Sequence, residues 1–115
     1  MGSEDIAKLA REAYAAYETK DRQLLENLIS PDFTFTSPYD DHIDRATYFE
    51  RCWPNSTTTK AIRIEKLFVQ GDEAFVMYEL ERFEGTGARN TEFLRFRGDK
   101  LVSADVYFGR ELPKK

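Results

Sequence analysis

The chain has 115 residues, 17 of them basic and 21 acidic, for a formal net charge of −4, and 14% are aromatic. That length fits one domain, residues 1–115, around one core, and the nine Phe and six Tyr exclude a merely solvating, disordered chain. Charges of both signs are interspersed with no basic stripe, which argues against nucleic acid and membrane surfaces as partners, and no run approaches the roughly 18 apolar residues of a membrane span.

The start, Met1-Gly2-Ser3-Glu4-Asp5, has neither the basic residues nor the apolar stretch of a signal peptide, so a cytoplasmic protein is expected. Ser3 is placed to cap a first helix, with Glu4 and Asp5 favourable to its dipole. Ile6, Leu9, Ala10, Ala13 and Tyr17 follow the i, i+3, i+4 rhythm of one apolar face, with Tyr14 on its edge. Asp21 caps a second, shorter helix that buries Leu24, Leu25, Leu28 and Ile29 and is stopped by Ser30-Pro31-Asp32. Phe33-Thr34-Phe35-Thr36 alternates as a strand does, and Ser37-Pro38 ends it. Tyr39 to Asp44 reads as a polar loop. Asp44 then caps a third helix bearing Ala46, Tyr48, Phe49, Cys52 and Trp53, which Pro54 closes.

The remaining half reads as strand. Residues 60–70, 73–83, 89–97 and 100–109 are rich in Val, Ile, Phe, Tyr and Thr. Gly71-Asp72, Gly85-Thr86-Gly87 and Gly98-Asp99 separate them with good turn chemistry. Turns this short require antiparallel neighbours. The predicted architecture is α+β: a curved mixed or antiparallel sheet forming a cone, with three helices from the N-terminal half packed over it. Which face of residues 73–83 points inward stays open, because Phe75 and Met77 compete with Val76, Tyr78 and Leu80.

This order of elements resembles the nuclear transport factor 2-like superfamily, which includes ketosteroid isomerases and SnoaL-like polyketide cyclases. The resemblance covers nearly the whole chain. It is carried by Lys20-Asp21, by Phe33-Thr34-Phe35-Thr36-Ser37-Pro38 and by Asp99-Lys100-Leu101-Val102 through Val106-Tyr107-Phe108. The resemblance implies a conical hollow and commonly a homodimer formed through the outer face of the sheet, the side of Asp105 and Tyr107. It implies no single activity, because this fold hosts many. Ketosteroid isomerase chemistry needs an aspartate base, a tyrosine donor and a carboxylic acid kept protonated by an apolar site. By position these roles fall on Ser37, Ala13 and Glu92, so only the acid is matched and steroid isomerisation is not expected.

Glu92, Leu94 and Phe96 share one face of their strand. On the cavity side, desolvation would raise the Glu92 pKa as an acid catalyst requires; on the solvent side, it would pair with Arg95 or Lys66. Tyr39-Asp40-Asp41-His42 holds the chain's one histidine, and Asp41 could orient His42 as a general base. The alternative is a solvated loop in which Asp40 and Asp41 cap turns. Tyr17, Phe35, Tyr39, Phe49, Trp53, Tyr78, Val106 and Phe108 are the candidates for an aromatic pocket, against ordinary core packing. Cys52 reads as a small buried hydrophobe. No metal site or cofactor is expected, since no nucleotide loop, nucleophile elbow or zinc signature is present. The expected partner is a small apolar molecule with a polar handle, bound for proton-transfer chemistry such as isomerisation, dehydration or cyclisation. The alternative is a non-catalytic dimeric module with a filled core.

Overall fold

The computed structural model describes residues 2–114. Helix α1 (Ser3–Thr19) and helix α2 (Arg22–Leu28) are followed by β1 (Ile29–Ser37), β2 (Asp40–Asp44) and α3 (Arg45–Arg51). A 3-10 helix (Trp53–Thr58) leads into β3 (Thr59–Gln70), β4 (Glu73–Arg82), β5 (Gly87–Arg97) and β6 (Lys100–Leu112). The six strands form one sheet in the order β2-β1-β6-β5-β4-β3. All neighbours are antiparallel except β1 and β6, which run parallel because the helices and the meander separate them in the chain. No described helix is long and apolar enough to cross a membrane.

The α+β class and three helices over one mixed sheet match the expectation from sequence. Several local readings are corrected. Gly2 rather than Ser3 caps α1, and its N–H donates to the Asp5 carboxylate at 3.2 Å. Residues 40–44 form a strand rather than a loop, with Phe35 opposite Ile43 and Thr34 opposite Asp44. Pro31 lies inside β1, where the register against β6 is interrupted between Ile29 and Thr34, so its missing N–H removes no regular ladder bond. α3 ends at Arg51, and the segment from Trp53 tightens into 3-10 geometry with Pro54 at its start. Asp21 and Asp44 cap as read, accepting from Leu24 N at 3.1 Å and Thr47 N at 2.9 Å.

Register shifts in β3 (between Ile64 and Lys66), β5 with β6 (between Ala88 and Asn90) and β1 (between Phe35 and Ser37) bend the sheet. α1 crosses β3 and β4, α3 covers β1, and α2 joins them. The two faces of β4 are now distinct. Ala74, Val76 and Tyr78 point inward and are buried, whereas Phe75 and Met77 face outward, 51% and 42% exposed. Phe33, Leu25 and Ile6 belong to the buried core, each at most 1% exposed, and burial of a side chain this size stabilises by about 2–3 kcal/mol. Tyr14 lies in the middle of the buried α1 face instead of at its edge, because Ile6, Ala10 and Tyr14 repeat at four-residue spacing over the inner sheet surface.

Candidate functional site

Cross-strand pairing fixes what the inner surface presents. Val76, Glu92 and Val106 form one row across β4, β5 and β6; Tyr78, Asn90 and Phe108 form the next row toward the open end. Glu92 therefore points into the cone, where α1 sets Tyr14 and Tyr17 over it and α3 contributes Tyr48. Val76 is fully buried and Val106 is 9% exposed, yet Glu92 between them keeps some accessible surface.

Burial raises the Glu92 pKa to about 6, while the hydroxyl dipoles of Tyr78 and Tyr14 pull the other way. The phenols respond in kind. Burial, then the Glu92 charge, pushes Tyr14 and Tyr78 well above the usual range; burial also raises Tyr17 and Tyr48, with a smaller contribution from Glu92. All four are neutral donors at physiological pH. Tyr17 and Tyr48 share a short hydrogen bond through their hydroxyls, and the Asn90 amide donates to Tyr78 Oη at 3.5 Å. Tyr14 Oη is buried without a hydrogen-bond partner. The Tyr14 and Tyr78 rings lie 5.1 Å apart, and Trp53 packs on Tyr17 at 5.0 Å.

A second polar group stands nearer the mouth. The Asp40 side chain is only 8% exposed. Its Oδ2 accepts from Ser37 Oγ at 3.0 Å, and its Oδ1 lies 2.9 Å from the Arg51 guanidinium, as an ion pair rather than an aligned hydrogen bond. Cys52 lies within electrostatic reach of both Asp40 and Glu92. Burial, and then the Asp40 charge, pushes its thiol up to about 11, so it is not a thiolate at neutral pH.

The structure separates the remaining candidates. His42 and Asp41 do touch, Nδ1 to Oδ1 at 2.5 Å, but their side chains are 71% and 90% exposed, so the pair projects into solvent. His42 also carries a left-handed backbone (φ 51°) that helps turn it away. Tyr39, 78% exposed, and Phe108, 50% exposed, meet at 5.6 Å on the rim. Phe35 packs on Tyr48 within the core, and Phe49 is clasped by the Arg22 and Arg45 guanidiniums at 4.8 and 5.2 Å. Tyr14, Tyr48, Asn90 and Asp40 join the site without having been assigned to it. The Ile6–Ala10–Tyr14 spacing was the signal available for the first of them. Among the described residues no three His, Cys, Asp or Glu side chains converge as a metal site would need.

Two of the depressions on the surface lie outside the cone. One, of about 470 Å³, lies along α1 against Ala7, Lys8, Arg11 and Ala15; the other, of about 10 Å³, lies near Arg63 and Gly85. Neither opens into the cone.

Helices laid over a strongly bent, unclosed sheet define the nuclear transport factor 2-like class of α+β cones. A SnoaL-like domain model matches residues 10–104, and the chain belongs to that family. Solved structures share the fold at low identity. A de novo designed protein with a curved β-sheet aligns with a TM-score of 0.82 at 16% identity, over 95% of this chain and 88% of that one. An NTF2-like protein of unknown function from Cytophaga hutchinsonii gives 0.73 at 20% identity, over 90% and 89%. A protein with a ketosteroid isomerase-like fold from Catenulispora acidiphila, solved in complex with trimethylamine, gives 0.69 at 15%, over 88% and 85%. None of the curated proteins matches in sequence.

Proposed function

We propose that the protein binds a small, largely apolar molecule by its polar handle inside the cone, with Glu92 as the anchor. The observation that carries this reading is a carboxyl group placed among apolar neighbours and four tyrosines, beside a buried hydroxyl with no partner. Desolvating a carboxylate costs stability, and such groups concentrate where ligands or protons are handled. Tyr78 and Tyr14 orient the carboxyl, Tyr17 and Trp53 flank the bound molecule, and Tyr39 and Phe108 line its entry. Where binding leads to turnover, a carboxyl titrating near pH 6 suits cofactor-free proton transfer, as in an isomerase, dehydratase or cyclase.

The second reading is a non-catalytic dimeric module with a filled core. It is favoured by the position of two surface depressions away from the cone. A thermal-shift screen against terpenoid, steroid, polyketide-like and aromatic compounds separates the two. A ligand at 100 times its Kd adds about 2.7 kcal/mol, several degrees in a domain of this size. Hits lost in Glu92→Gln and Trp53→Ala support the pocket; a flat screen transfers the weight to the module.

A further inference from the structure

Glu92 has no counter-charge. It takes part in none of the ion pairs among the described residues. The titratable groups that bear on it come from every element packed around the hollow: Tyr14 and Tyr17 from α1, Tyr48 from α3, Cys52 just beyond it and Tyr78 from β4. All are neutral at physiological pH. The other carboxylate of the region, Asp40, is already matched by Arg51. What remains is one negative group without a counter-charge, set beside the hydroxyls of Tyr14 and Tyr78, with the Tyr14–Tyr78 and Tyr17–Trp53 ring pairs packed next to it.

That combination is selective in sign. The face of a tyrosine or tryptophan attracts a cation, by about 0.5–1 kcal/mol when exposed and 2 or more when desolvated. A buried carboxylate is costly alone and favourable once an opposite charge is brought beside it. An anionic handle would meet repulsion from Glu92. A carbonyl oxygen would compete with the carboxylate for the Tyr78 and Tyr14 hydroxyls. An ammonium group meets no such conflict, and one of its N–H groups could donate to the lone pairs of Tyr14 Oη, which accepts no hydrogen bond in the structure.

From the unpaired Glu92 carboxyl and the tyrosines and tryptophan around it, we infer that the polar handle of the ligand is a cation, an alkylammonium on a compact apolar body. This rests on the pocket reading and narrows it.

The experiment pairs each cation with a neutral molecule of the same shape: choline against 3,3-dimethyl-1-butanol, and isopentylammonium against isopentyl alcohol. Each is titrated into the protein by calorimetry at pH 7.5. The expected result is at least tenfold tighter binding of each cation than of its partner. Choline is charged at every pH, so its affinity should fall as the pH drops through about 6 and Glu92 takes up a proton. Glu92→Gln, checked for folding by circular dichroism, should erase the preference of each cation over its partner alcohol. The pH series on the unmodified protein gives the same reading without a variant. Alcohols binding as tightly as the cations would overturn the inference and leave the pocket standing. If cations, alcohols and the broader neutral screen all fail to bind, the pocket reading falls and takes the inference with it.

Discussion

Glu92 shows most directly how a single position departs from its surroundings. Its native pKa of about 6 exceeds the ordinary value of 4.5 because burial disfavours the charge more than the two phenols restore it. Between those values the native state holds a proton that the unfolded chain has lost, so this group's contribution weakens as pH rises through the window. The loss, about 1–2 kcal/mol, persists at pH 7. Glu92→Gln should therefore stabilise the protein at pH 7.5 by about that amount and change little at pH 4.5. Urea denaturation at both values checks this. Equal effects at the two pH values would show that the carboxyl is not desolvated. Tyr14→Phe tests the partner. Its hydroxyl makes no hydrogen bond of good geometry, yet its dipole favours the Glu92 carboxylate, so the loss of stability at pH 7.5 should be small, about 0.5 kcal/mol. The Glu92 carboxyl should titrate higher still in that variant, followed by carbon-13 NMR of its side chain.

Among the elements, β5 and β6 do most to aim the site. Their register shifts between Ala88 and Asn90, and there Gly109 passes so close to β5 that an added Cβ would lie 2.1 Å from the Arg89 carbonyl oxygen. Gly109 N also donates to Asn90 Oδ1 at 3.2 Å, and Asn90 in turn reaches Tyr78. Gly109→Ala should cost about 1–3 kcal/mol by overpacking and lower the melting temperature by several degrees. An unchanged melting curve would mean that the strands part at no cost there. The helices were legible from Asp21 and Asp44 as caps and from the Ile6–Ala10 spacing. β2 was not, because Asp40-Asp41-His42-Ile43-Asp44 has little strand propensity and pairs only because the β1 edge is available to it.

For the whole molecule the outer face of the sheet is the counterpart of the cone. Phe75 and Phe93 stack at 4.8 Å there, with Phe68, Met77 and Tyr107 exposed beside them. The pairs Glu73–Arg95 at 3.3 Å and Glu65–Arg89 at 2.7 Å flank the apolar strip. An exposed apolar patch edged by charge is the usual form of an association surface, and the homodimer implied by the family resemblance is proposed to use it. Sedimentation at micromolar concentration should give a dimer for the natural chain and a monomer for Phe75→Arg. A monomeric natural chain would remove the proposal.

The sequence by itself determined the three helices, most of their caps, β1 and the four-strand meander, because periodicity and turn chemistry are local and survive without knowledge of what packs where, and its resemblance to known chains gave the family. It also determined that Glu92 shares a face with Leu94, since alternation along a strand is fixed. Which face that is was decided only by the tertiary structure. Phe75 and Met77 are as apolar as Val76 and Tyr78, and covering by α1 selects the second pair for the core. The same covering turned Tyr14 inward and gathered Tyr48, Asn90 and Asp40 from separate elements. It also left Asp41 and His42 in solvent, because contacts between residues far apart in the chain depend on how helices settle on a bent sheet.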